Sequence, residues 1–202
     1  MMREADNLSA AIILAAGAST RMGQPKQLLE WKGETMAARA CRLAQEAGFG
    51  WTIAVTGARA AEVGAAVAGT AAVVADNPNW ESGMGGSVAV GLSKALQLCP
   101  RLEYAGFILT DQPYLTAGVL SQMLAALKGS AAPGIAAAYE GVLGVPAVFR
   151  ARIFPELLSL AGQKGARPVL QKYASALLAF PFQGGGFDLD YPEDYERLLR
   201  GS

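Results

Sequence analysis

LAAGASTRMGQPKQLL, residues 14–29, is the stretch on which the reading of this chain turns. It follows a short apolar run over 10–14 that has the length and side chains of a buried strand. The run empties into a loop holding Gly17 and Gly23, where backbone N–H groups can approach phosphate oxygens with no side chain between. Arg21 and Lys26 add two cations to that loop, one a planar fork and the other a mobile point charge. Strand, glycine loop and paired cations together describe a triphosphate cradle at the C-terminal edge of a sheet.

The loop is not a Walker loop, because Gly17 and Gly23 are separated by five residues and Gln24-Pro25 precedes Lys26. Nor does it match the dinucleotide-binding G-x-G-x-x-G. The wider composition narrows the chemistry further. With 202 residues, 52% hydrophobic and 17% charged, the chain suits one domain with a buried, mostly parallel sheet. Lys plus Arg and Asp plus Glu each number 17, so no global field draws nucleic acid or anionic lipid, and no nucleic-acid or membrane role is expected. Histidine is absent, which removes Ser-His-Asp hydrolysis, His-ligated zinc and histidine general-base chemistry together. Cys41 and Cys99 fall in apolar helical patterns and read as free thiols of a reducing compartment. The opening 1–9 lacks the basic start of a signal peptide, and no apolar run approaches a membrane span, so a cytoplasmic location is expected.

Beyond the loop, strand-like and helix-like segments alternate, as in a doubly wound sheet with helices on both faces. Strands are expected at 51–55, 71–75, 104–109, 135–139, 145–149 and 177–182. Helices are expected at 35–47 with Thr35 as cap, 60–68, 87–97, 116–127, 153–160, 166–173 and 192–199 with Pro192 in its first turn.

Two more segments carry chemistry. NPNWESGMGGS, residues 77–87, is a second glycine loop between a strand and a helix. Ser87 reads as the helix cap, and Gly83, Gly85 and Gly86 would let a flat base lie against the backbone, with Trp80 a packing anchor. Thr110-Asp111-Gln112-Pro113 thrusts a carboxylate from a strand end, either toward a ligand or as a cap for the next turn. Phe187-Asp188-Leu189-Asp190 alternates apolar and acidic, which places both carboxylates on one face of a short strand.

In motif order these segments resemble the molybdenum cofactor cytidylyltransferase-like (MobA/MocA-like) nucleotidyltransferases, from about residue 10 to 199. The first loop is similar to their L-x-[AG]-G-x-S-x-R-M-G-x-P-K-x-L, the second to N-P-x-W-x-x-G-M-x-x-S, and the last to D-[IL]-D-T-P-E-D with Tyr191 at the usual Thr. The resemblance implies a three-layer Rossmann-like fold of the nucleotide-diphospho-sugar-transferase kind, with 10–115 binding nucleotide and 116–200 binding acceptor. It implies CMP transfer from CTP to the terminal phosphate of molybdenum-molybdopterin with Mg²⁺, for delivery to a client molybdoenzyme. Leu14, Ala15, Ala16, Gly17, Arg21, Lys26, Asn77, Gly83 and Ser87 would bind the nucleotide. Arg21, Lys26 and Asp111 would be catalytic, and Asp111 with Asp188 would hold the metal, Asp190 being the alternative second ligand. Ala16 stands where CTP users of the family tend to carry Ala and GTP users Gly. Gly144-Val145-Pro146 and Gly162-Gln-Lys-Gly-Ala-Arg167 depart from the family's Gly-His-Pro and Gly-Asp-x-Gly-Ala-Arg in the half expected to face the acceptor, leaving its identity open. Arg167, Arg150 and Arg152 are candidates to hold an anionic acceptor. Transfer with GTP, another acceptor, or a carrier without catalysis are the alternatives, and Lys26, Asp111 and Asp188 together argue for catalysis.

Overall fold

The computed structural model describes residues 8–201; the reading of 1–9 as free of a leader pattern falls largely outside them. Seven strands form one sheet: β1 (Ser9–Leu14), β4 (Trp51–Thr56), β5 (Val73–Asp76), β6 (Tyr104–Leu109), β7 (Gly134–Tyr139), β8 (Val142–Arg150) and β9 (Leu178–Pro181), in the order β5-β4-β1-β6-β8-β7-β9. The short β2 (Glu30–Trp31) and β3 (Glu34–Thr35) pair separately. Only β8 is antiparallel to its neighbours in the large sheet. The mostly parallel α/β architecture expected from the alternation is therefore the one found.

Every residue of β1 is buried, and its side chains divide by the period of two. Ala11 and Ile13 pack into a layer with Ala37, Ala40, Leu120 and Met123, from α1 (Met36–Glu46) and α4 (Ala117–Lys128). Ile12 and Leu14 face a second layer with Val88, Leu92 and Leu157, from α3 (Met84–Leu98) and α5 (Phe154–Leu158). Burying each such aliphatic side chain contributes about 1.5–3 kcal/mol, so an apolar strand is most stable at the centre. Thr35 and Thr116 cap α1 and α4 with their hydroxyls, accepting from Ala38 and Val119 N–H. The remaining helices are α2 (Ala60–Val67), α6 (Arg167–Lys172) and α7 (Pro192–Arg200).

The chain leaves β1 for β4 and β5 on one side, then returns to place β6 on the other. That reversal opens a crevice at the C-terminal ends of β1 and β6, the usual ligand position in such sheets. Leu14 stands opposite Leu109 in the parallel register, so the first glycine loop and Asp111 leave the sheet side by side.

Two expectations need correction. Helix α3 begins at Met84 behind Gly83, so Ser87 lies inside its first turn rather than at the cap. Gly83 takes the cap because its φ of 119° lets the chain turn there. Residues 187–190 form no strand. Their alternation nevertheless has a physical outcome: Leu189 is buried with Met22, Leu29, Trp31 and Leu198, and its N–H donates to Asp111 O at 3.0 Å. One apolar side chain thus fixes the two flanking carboxylates without a sheet. No helix among the described residues is long and apolar enough to cross a membrane.

Candidate active site

The first glycine loop is held from beneath by a residue the sequence reading passed over. Gln27 is almost fully buried, and its amide donates to Ala15 O at 2.9 Å and Gly17 O at 2.5 Å. Its Oε1 accepts from the Ser19 hydroxyl at 3.1 Å, and Ser19 Oγ in turn accepts from the Lys26 N–H at 3.1 Å. These bonds close the loop into a ring and hold Ser19 at a φ of 54°, a left-handed conformation costly for a side-chain residue. A polar residue next to a lysine between apolar neighbours was the only signal, and it did not distinguish a buried amide from a surface one.

The loop borders a cavity of about 490 Å³, with Leu14, Ala16, Gly17 and residues through Thr20 on one wall. Ala15 was expected there but turns into the core, its N–H donating to Val55 O at 3.0 Å. Gly17 has nothing within 4 Å of where a Cβ would be, so its side faces open space.

Beside the cavity the cations meet the carboxylates. Lys26 Nζ lies 2.5 Å from Asp111 Oδ2 and 3.2 Å from Asp190 Oδ1, and Arg21 Nη1 lies 3.0 Å from Asp190 Oδ2. Burial by itself lowers the Lys26 pKa, but Asp111 and then Asp190 outweigh it, so the ammonium ends above its ordinary value. Arg21 also stacks over the Tyr191 ring at 5.6 Å. Among the described residues Asp188 forms no such ion pair. Desolvation first, then the charge of Asp111, pushes its carboxyl up to about 6, while Lys26 opposes the rise.

The same carboxylates fit a divalent cation. Asp111 Oδ1 is buried with no hydrogen-bond partner, and Asp188 is destabilised as an anion by its neighbour, a combination that a metal would relieve. Among the described residues no group of three or more Asp, Glu, His or Cys side chains forms a closed cage. Other ligands would then be phosphate oxygens and water, a coordination typical of Mg²⁺. The Asp111 turn is itself positioned by Arg39, which donates to Pro113 O and Leu115 O at 3.0 and 2.9 Å and stacks over Trp31 at 4.8 Å.

The second glycine loop completes the wall, with Trp80, Glu81, Gly83, Met84 and Ser87 lining the cavity. Asn77 was expected to touch the nucleotide but is occupied internally. Its amide donates to Ser87 Oγ at 3.0 Å and its Oδ1 accepts from Asn79 N–H at 3.2 Å, so it positions Ser87. Gly83 and Gly85 do not make room for a base either. A Cβ on Gly83 would lie 2.3 Å from Gly162 C, and one on Gly85 2.8 Å from Ala161 C. The segment 161–163 fills that space and is tied down by Gly85 N–H donating to Gly162 O at 2.9 Å. Gln163, expected on the acceptor side, therefore lines the first cavity.

A second cavity, about 240 Å³, shares Met84 with the first and is lined by Tyr139, Val145, Lys164 and Arg167. Tyr139 joins it to the carboxylates: its hydroxyl pKa is raised by burial first, then by Asp188 and Asp111. Arg150 does not belong to this cavity. It donates to the carbonyls of Leu127, Ser130 and Ala132 and to the Tyr104 hydroxyl, tying α4 to the sheet. Arg152 likewise donates to Ala131 O at 2.6 Å. Both were candidates for an anionic acceptor, and backbone carbonyls have claimed them instead.

Comparison with known proteins places the chain in a family. Residues 11–177 match the model of the MobA-like NTP transferase domain. The purine catabolism protein PucB of Bacillus subtilis is 30% identical over 200 residues, covering 94% of this chain and 95% of the relative. The nicotine blue oxidoreductase of Paenarthrobacter nicotinovorans is 30% identical over 201 residues, with 93% and 95% covered. Rv0371c of Mycobacterium tuberculosis, solved as a manganese complex, is 29% identical with a TM-score of 0.75 over 96% of this chain and 99% of that one.

Proposed function

Because this chain belongs to the MobA-like NTP transferase family, we propose that it transfers CMP from CTP to the terminal phosphate of molybdenum-molybdopterin, releasing pyrophosphate. One observation carries the reading. The Lys26 ammonium, delivered by a glycine loop, meets the Asp111 carboxylate at 2.5 Å where β1 and β6 end side by side, next to a nucleotide-sized cavity.

The chemistry suits a chain without histidine. A phosphate monoester has a second pKa near ~6 and is already mostly dianionic at neutral pH, so attack on the α-phosphorus needs no general base. Two anions must instead be brought together. Asp111 and Asp188 would hold Mg²⁺, which when bound neutralises triphosphate charge and favours departure of pyrophosphate. Asp190 is engaged with Arg21 and Lys26, which favours Asp188 as the second ligand. Arg21 and Lys26 supply the remaining positive charge against the triphosphate. Ala16 in the cavity wall supports CTP.

In this reading 10–115 handle the nucleotide and 116–200 the acceptor within one domain, apart from the incursion of Gln163. Arg167, with Lys164, supports an anionic acceptor in the second cavity, from which the product would pass to a client molybdoenzyme. A different phosphate acceptor is the second reading, favoured by the unrelated names of the two relatives at 30% identity. Incubating the protein with each of the four NTPs, Mg²⁺ and molybdenum-molybdopterin should release pyrophosphate with CTP. Release with GTP alone reverses the base assignment, and no release with this acceptor points to another.

A further inference from the structure

We infer that Gln163 selects the nucleobase, an inference that rests on the nucleotide reading above. Two observations place it. Gln163 lines the first cavity together with Trp80, Glu81, Gly83 and Ser87 of the second glycine loop, and the same cavity borders the loop of Gly17 and Ser19. That loop leads through the Lys26 N–H bond to Ser19 into the cation and carboxylate cluster, so it marks the triphosphate end. With the phosphates assigned to that loop, the remaining lining of the cavity, Gln163 included, is left to the base.

The backbone that carries Gln163 is fixed in place. Gly162 packs on Gly83 so closely that a Cβ there would collide with it, Gly162 O accepts from Gly85 N–H at 2.9 Å, and Gly165 packs against Met84. The side chain itself is exposed, and among the described residues its only bond is a long one, 3.3 Å from Nε2 to Glu81 O. Rigid backbone and a loosely held amide are what a reading head needs: the ordering cost of the loop is met in folding, and a ligand has one weak bond to displace.

The amide can also read a base edge. Gln offers an acceptor and a donor side by side, which pair with the amine donor and ring-nitrogen acceptor of cytosine, an edge pattern that adenine shares. A carboxylate in the same place accepts only, and would match the adjacent N–H donors of guanine.

Trp80 lines the same cavity, so its fluorescence can report nucleotide binding by the whole protein. The wild type, Gln163→Ala and Gln163→Glu would each be titrated with CTP, GTP, ATP and UTP in the presence of Mg²⁺, with thermal unfolding followed in parallel. The expected result is a loss of CTP affinity of about tenfold or more in Gln163→Ala, with GTP and UTP changed little and the unfolding temperature kept. Gln163→Glu, which keeps the side-chain length, should shift the ratio of CTP to GTP affinity toward GTP by at least about tenfold. Unchanged preference in both variants overturns the inference while leaving nucleotide binding intact. An equal loss for all four nucleotides also overturns it, since the contact would then be to ribose or to the loop itself. If no NTP binds the wild type, it is the nucleotide reading that fails.

Discussion

The two glycine loops look alike in sequence and differ in what their glycines face. In the first, the missing side chains of Gly17 and Gly23 point into open space. In the second, those of Gly83 and Gly85 are replaced by the backbone of 161–163. The glycines of the first loop leave open space, whereas those of the second form a socket already filled by its own chain. A glycine-rich turn therefore signals close approach without saying whether a ligand or another segment is approaching, and only the surroundings of the absent Cβ decide.

The strongest way to break this contrast is Gly83→Ala. A methyl group 2.3 Å from Gly162 C, at a φ of 119°, should destabilise the fold by about 3 kcal/mol or more. In a chain of this size that is a fall of ~6–12 °C in the unfolding temperature, measurable by calorimetry. A shift under two degrees would mean that 161–163 yields easily and the socket is soft.

Lys26→Ala comes next and tests the open loop. Its cation acts on charge that develops as pyrophosphate leaves, so kcat should fall on the order of 10²-fold while nucleotide Kd changes far less. Single-turnover rates beside CTP titration separate the two. A large loss of binding with a native rate for bound substrate would make Lys26 a binding group only. Asp111→Asn belongs with it: pyrophosphate release should nearly vanish with the fold retained, and undiminished release at low Mg²⁺ would remove Asp111 from the metal.

A smaller effect is expected at Gln27. Gln27→Leu keeps most of the volume but leaves the carbonyls of Ala15 and Gly17 and the Ser19 hydroxyl without their partner, at a cost of about 1–3 kcal/mol. Nucleotide KM should rise with it, because the loop loses its ring of bonds. Denaturant unfolding with a KM measurement tests both, and an unchanged KM would limit Gln27 to stability.

The smallest change in stability should come from Gly17→Ala, within about 0.5 kcal/mol, because its Cβ meets nothing. Its effect should appear in nucleotide affinity instead, as the methyl group intrudes on the phosphate approach. Stability and affinity would then separate in opposite ways at Gly17 and Gly83, which is the sharpest form of the comparison.

Much of the fold was legible because it is local. The continuous apolar run of β1, the Thr35 cap and Pro192 at the start of α7 depend on neighbours a few residues away. The meeting of Lys26 and Asp111 followed from the strand ends that carry them. What stayed hidden depends on distant contacts. Nothing near Gly83 announces Gly162, and Arg150 looks like any surface cation until α4 presents its terminal carbonyls. The aspartates of 187–190 were correctly grouped but given the wrong backbone, since burial of Leu189 produces the same alternation that a strand would.

That burial of Leu189 has a consequence for the order of synthesis. Asp190, the second carboxylate on the Lys26 ammonium after Asp111, is made 164 residues after it. At typical translation rates of ~5–20 residues per second, roughly ten to thirty seconds separate the two. Throughout that interval the nascent glycine loop carries its cations without Asp190, and Met22, Leu29 and Trp31 lack the leucines that later cover them. The sheet can assemble strand by strand, but the charge balance of the site arrives only with the segment that carries Leu189. Ribosome-bound chains halted before that segment should present a sticky apolar patch beside the crevice that disappears when elongation resumes.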